Sequence, residues 1–175
     1  MTENKNKNEI IEVENDVVEL RDTDLLNADY NFDEKIEVAV RVANSLRKII
    51  DSQNLAVNIA GKEYITAEGW NCLGTLLGAS PIVESVEEVK FEGNKHKFGY
   101  IATVKIVQGG RVISKASAFA ERNNAQRERY AVYSLAETRA ISKAYRSCLS
   151  WIVKLANFEP TPAEEMPAFK QRRSD

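Results

Sequence analysis

The chain has 175 residues, 43% of them apolar, and a formal net charge of −2, enough for one domain with a real core and flanking tails. Its single histidine, His96, and two cysteines, Cys72 and Cys148, argue against a zinc site and a disulfide framework and fit a reducing interior. No apolar signal core opens the chain and no apolar run is long enough for a bilayer, so the expectation is a soluble cytoplasmic protein with no membrane partner.

Residues 1–32 read as an acidic, disordered tail. Up to Glu34, three cations (Lys5, Lys7, Arg21) face eleven carboxylates, a balance of −8, and the few apolar residues are mostly aliphatic. Such a tail is a solubiliser, a competitor for a basic surface elsewhere in the chain, or an arm for a protein partner. The domain proper is expected over 33–158, with a short helical turn and tail over 159–175.

A first helix is predicted over 33–50, where Ile36, Val40, Ala43, Leu46, Ile49 and Ile50 recur at helical spacing and Asn31 or Asp33 caps the start. A hairpin follows over 55–65, with Gly61 near its turn. A short helix over 66–78 repeats Trp70, Leu73 and Leu77, opens on Thr66 and is closed by Gly78 and Pro81. A strand spans 82–91, with Val83, Val89 and Phe91 apolar, and Glu92-Gly93-Asn94 turns the chain. The next strand, 97–107, alternates with Phe98, Tyr100, Ala102, Val104 and Ile106 on one face. Gly109-Gly110 joins it to a strand carrying Ser114, Ala116, Ser117, Ala118 and Ala120, small enough for a helix to lie close. A two-residue turn sets Arg111 opposite Gln108. It also sets Lys115 opposite Val104 on the apolar face, so either the turn is longer or Lys115 lies near an open edge.

The longest element is a helix over about 126–157, uninterrupted by Gly or Pro. At 100° per residue Ile141, Ala144, Tyr145, Cys148, Trp151, Ile152 and Leu155 fall in one arc, and Arg139, Lys143, Arg146 and Lys154 opposite, with Ser150. Val132 and Leu135 share the sector of the cations, so the first half of the helix is expected to be covered on more than one side, for instance by a second subunit. After Phe158, Thr161-Pro162-Ala163-Glu164 has the form of a capping box. The fold class is therefore α+β: an antiparallel β-meander packed on one long basic helix, with an N-terminal helix and a β-hairpin.

Charge sharpens the functional reading. From Lys95 to Arg146 eleven cations face only Glu121, Glu128 and Glu137, an excess of +8 in a chain of net −2. That balance suits a polyanion, because each neutralised phosphate releases counterions; it also suits an ordinary solvated helix face. The candidate contacts in this stretch are Arg139, Lys143, Arg146, Arg127, Arg129, Lys105 and Arg111. Catalytic motifs are scarce. No Gly-rich loop precedes a helix, and no nucleophile has a histidine partner other than His96. Glu88-Val89-Lys90, with Glu84 upstream, faintly resembles the half-motif of metal-dependent nucleases.

Three segments, VNIAGKEYITAEGWNCLGTLLG, FGYIATVKIVQGGRVISKASAFAE and LAETRAISKAYRSCLSWI, resemble the single-strand annealing proteins: the eukaryotic Rad-group annealing protein, the phage Sak proteins and bacterial DdrA. The resemblance covers residues 55–151 and is most specific at Thr138-Arg139-Ala140-Ile141-Ser142-Lys143-Ala144-Tyr145-Arg146, where Lys143 and Arg146 match DNA-contacting cations. Ser142 departs from the pattern by replacing the first cation of a pair, with Arg139 one turn earlier. Glu63 stands where a relative has a DNA-binding Arg, with Lys62 beside it as the substitute. The resemblance implies a homo-oligomeric ring or arc and a basic groove that holds single-stranded DNA by its phosphates. It implies annealing in recombination or repair without ATP, metal or other cofactor, and no enzyme. The alternatives are a single-strand-protecting protein, which needs stacking aromatics that the basic stripe lacks, and the nuclease.

Overall fold

The structure is a computed structural model that describes residues 31–91, 97–122 and 128–166. The acidic stretch before Asn31, the turn after Phe91 and Arg127 lie outside these residues.

Helix α1, Phe32–Gln53, starts where the Asn31 side chain accepts from the Asp33 amide at 3.3 Å, with Asp33 and Glu34 in the first turn complementing the helix dipole. It ends at Asn54 in the left-handed conformation. Val38, Ala39, Val42, Ala43, Leu46 and Ile50 are buried. Ile36 and Val40, expected in the core, are exposed: the stripe that meets the body of the protein is rotated toward Val38 and Val42.

Strands β1 (Ala56–Ile59) and β2 (Lys62–Ile65) form the expected hairpin, closed by Ala60 and Gly61, both at positive φ. Helix α2, Ala67–Leu76, is capped by Thr66, whose Oγ1 accepts from the Gly69 amide at 3.4 Å. A second acceptor comes from far along the chain: buried Glu164 Oε1 takes the Ala67 amide at 2.8 Å. Glu164 lies in a turn whose N-cap is Pro162, not Thr161, with no side-chain cap hydrogen bond, so the expected capping box is not formed. Glu164 serves the start of another helix, and its own segment forms only a short 3-10 turn, Ala163–Glu165.

Three antiparallel strands follow in the order β3 (Ala79–Lys90), β4 (Phe98–Gln108) and β5 (Arg111–Glu121). β3 starts before Pro81, which lies inside the strand rather than closing the helix; an edge strand tolerates the missing donor. The position of Lys115 is settled by a bulge. The turn has two residues, with Gln108 opposite Arg111 and Val107 opposite Val112, but Ile106 then pairs with Ser114. The extra residue, Ile113, turns the rest of β5 over, so Lys115 lies opposite Lys105 on the outer face and Ala116 opposite Val104 on the inner.

Helix α3, Arg129–Leu155, packs on β4 and β5 on one side and on α1 and α2 on the other. Ala136, Ala140 and Ala144 let it approach the sheet, close enough for Ser114 Oγ to donate to the Ala144 carbonyl at 2.7 Å. Tyr145, Leu149, Ile152 and Val153 are also buried, and the Tyr145 hydroxyl donates to the Ala79 carbonyl at 3.1 Å. Burial pushes that hydroxyl up to about 12. Two-sided packing corrects the single arc read from the sequence. Val132 and Ser142 are fully buried within this one chain, whereas Trp151 and Leu155, expected inside, are 38% and 45% exposed. Beyond α3, Phe158 is buried with the Arg47 guanidinium 4.5 Å above its ring. The Glu159 amide donates to the Glu63 carbonyl at 2.8 Å, which ties the segment after α3 to the β1–β2 hairpin. Among the described residues no helix is long and apolar enough to cross a membrane.

Candidate nucleic-acid interface

Among the described residues β5 is the last strand of its sheet, and one of its edges has no strand partner there. The Arg122 amide donates to the Phe98 carbonyl at 3.0 Å, which fixes the phase of the β4–β5 ladder. In that phase the carbonyls of Ser117 and Phe119 point away from β4. α3 supplies donors for both: Arg139 Nη1 lies 3.1 Å from the Phe119 carbonyl, and Lys143 Nζ 3.1 Å from that of Ser117. The spacings match, since four residues of helix rise about 6 Å and two residues of strand about 6.8 Å.

The same flank of α3 continues beyond the sheet. Arg139, Lys143 and Arg146 fall within a sector of about 60° at 100° per residue, and Lys154 lies close to it. Arg146 Nη1 sits 3.3 Å from Glu165 Oε2. Lys154 Nζ is 3.3 Å from Glu159 Oε2, and Lys62, on the hairpin, reaches Glu159 Oε1 at 3.7 Å. Lys154 first, and then Lys62, hold the Glu159 carboxyl below its usual range. Arg139 to Lys154 spans about 22 Å of helix. Among the described residues the result is a ribbon of five cations against two carboxylates, running from the β5 edge to the β1–β2 hairpin. Its exposed ammonium groups, on Lys143, Lys154 and Lys62, and the half-buried guanidinium groups of Arg139 and Arg146 suit a chain of phosphates.

Not every cation expected to contact DNA joins this ribbon. Arg129 binds Glu88 at 2.7 Å on β3, with its guanidinium 4.7 Å from the Phe98 ring centre. The Glu88 hydrogen bond, and after it that of Tyr100, raise its pKa further. Lys105 is on the sheet face opposite α3, and Arg111 stands at the β4–β5 hairpin. Arg127 lies outside the described residues. The member that the sequence-based list omits is Lys154, although its helical position already placed it with the other cations. The two departures from the annealing-protein pattern have local explanations. Ser142 is fully buried and donates to the Thr138 carbonyl at 3.0 Å, so a cation there would have to be driven into the core. Glu63 is held by Arg47 at 2.6 Å. The carboxylates of the nuclease half-motif are both engaged by cations, Glu84 by Lys115 and Glu88 by Arg129. Neither the protein-family models nor the curated proteins compared with the sequence match it.

Proposed function

We propose that the chain binds single-stranded DNA along the α3 flank and brings complementary strands together, as a recombination or repair mediator that needs no nucleotide or metal. The ribbon Arg139–Lys143–Arg146–Lys154–Lys62 carries the reading: its spacing follows a backbone, and phosphate contacts give affinity without sequence choice. The test is annealing of two complementary labelled oligonucleotides without ATP or magnesium. Faster annealing than in buffer supports the proposal. Binding without acceleration leaves a strand-protecting protein, and magnesium-dependent cleavage makes it a nuclease.

The segment after α3 lays Glu159 and Glu165 on three of the ribbon's cations, where they compete with phosphate. Glu159→Gln with Glu165→Gln is expected to tighten binding several-fold at 0.1 M salt and to steepen the fall of affinity with salt. Fluorescence anisotropy across a salt series measures both; unchanged affinity would show that the carboxylates do not shield the ribbon. Because the folded pKa of Glu159 is depressed, the stability from its pairing is full above the ordinary carboxylate range and is lost as pH falls through the depressed value.

We place the acidic stretch 1–30 as a further competitor or a partner-binding arm: its deletion should tighten binding at low salt and leave the melting temperature unchanged. Equal affinity at every salt concentration would reduce it to a solubiliser or an arm for another protein. A homo-oligomer is part of the same proposal. Covering of α3 by α1 and α2 within one chain removes the need for a subunit there, but Phe32, Ile36 and Val40 leave an exposed apolar ridge on α1. Light scattering should give a mass well above one 19.7 kDa chain. A monomer with and without DNA rules out a ring or arc.

A further inference from the structure

α3 covers one face of the three-stranded sheet. On the opposite face the side chains of β4 and β5 form three successive cross-strand pairs, each about 6.8 Å from the next. The first is Ile101 with Phe119. A Cβ on neighbouring Gly99 would lie 2.6 and 2.8 Å from two ring atoms of Phe119, so this ring reclines across the space that a side chain at Gly99 would fill. Phe91 touches it at 6.4 Å between ring centres, and the reclining ring remains 41% exposed. The second pair is Thr103 with Ser117, whose hydroxyls are 2.9 Å apart. The third is Lys105 with Lys115. Like charges directly opposite each other destabilise a sheet. Glu84 pairs with Lys115, and one carboxylate beside these two ammonium groups leaves a local positive excess for a further anion; the next carboxylate on this face, Glu87, stands opposite Ile101 at the aromatic end.

An aromatic surface, a hydroxyl pair and a cationic pair in line match the base, sugar and phosphate of a short single strand. We infer that this outer face is a second surface for single-stranded DNA, with a base stacked on Phe119, a sugar or base edge at Thr103 and Ser117, and a phosphate at Lys105 and Lys115. The inference rests on the reading that the chain binds single-stranded DNA, but uses none of the α3 residues. It also supplies the stacking aromatic that the basic stripe lacks.

The test compares anisotropy of labelled oligo(dT) with that of an abasic oligonucleotide of equal length, which has the phosphates without the bases, using the full chain. Wild type is expected to prefer oligo(dT) by about tenfold or more. Phe119→Ala should abolish the preference and leave abasic affinity unchanged. Lys105→Gln should weaken both and reduce the salt slope by about 0.7. Should the Ala variant misfold, Phe119→Leu keeps an apolar cover over Gly99 while removing the π face, and must also lose the preference. Persistence of the preference in a folded Phe119 variant overturns the inference. So does a change in oligomeric mass with the preference intact, which would make this face a seat for a second copy of the chain. Equal wild-type binding of both oligonucleotides removes the platform and leaves the ribbon standing. Binding of neither removes both.

Discussion

Replacing Arg139, Lys143 and Arg146 together by Gln is expected to weaken binding of every single-stranded sequence by about two orders of magnitude at 0.1 M salt. Each phosphate contact on a single strand contributes about −0.7 to the slope of log affinity against log salt. Three contacts therefore flatten that slope by about two units, and the loss is alike for all sequences because no base is read. Gln is preferable to Ala because Arg139 and Lys143 also cover the Phe119 and Ser117 carbonyls on the β5 edge, and an amide retains a donor.

Those carbonyl contacts do not disqualify the cations. A neutral carbonyl is a weaker partner than a charged phosphate, and an ammonium has three donors, of which Lys143 uses one on Ser117. The contacts instead hold the two side chains along the flank before a strand arrives. Arg146 gives up only a half-exposed pair with Glu165, the kind of interaction that contributes about 0–1 kcal/mol. Thermal melting should therefore change little, and annealing should fall together with binding. A variant that keeps its fold, its assembly and wild-type affinity across a salt series would be incompatible with the proposed interface. One that loses its assembly would move these cations from a groove to a subunit contact.

Local features were legible where local chemistry decides them. Asn31 and Thr66 announce helix starts, Gly61 a hairpin turn, and alternation from Phe98 to Ile106 a one-sided strand. The bulge at Ile113 was not, because it is a choice of register between two strands rather than a property of either. Nor was the role of Glu164: the amide it accepts lies 97 residues back, while Thr161 three residues away offered a plausible local partner. The burial of Ser142 shows the same limit for α3. A period of 3.6 finds one apolar face, and a helix held between a sheet and two other helices needs two. For the site, the angular sector of Arg139, Lys143 and Arg146 was available from spacing alone. Their partners come from β5 and the 3-10 turn, and only the tertiary fold brings these to one flank.

That two-sided packing makes Gly74→Ala the most informative stability variant. On a free helix the change is favourable by about 1 kcal/mol. Here the added Cβ would collide with the Cε1, Cζ and Oη atoms of Tyr145. The ring has no easy retreat: Tyr145 is 1% exposed, and displacing it breaks the 3.1 Å bond from its hydroxyl to the Ala79 carbonyl. Sliding α2 away instead is resisted at its other end. Gly69 faces Ile50 and the Leu55 carbonyl so closely that a Cβ there would stand 2.8 and 3.1 Å from them, and Thr66 and Glu164 hold the first turn. Overpacking of this kind typically costs 1–3 kcal/mol, and the strained hydrogen bond adds to it. The net expectation is a loss of about 2 kcal/mol, read as a fall of roughly 5–10 °C in Tm. Below the transition, affinity for single-stranded DNA should match wild type, because the ribbon lies on a different flank of α3. A variant that melts at or above wild type would mean that α2 and α3 do not meet this closely.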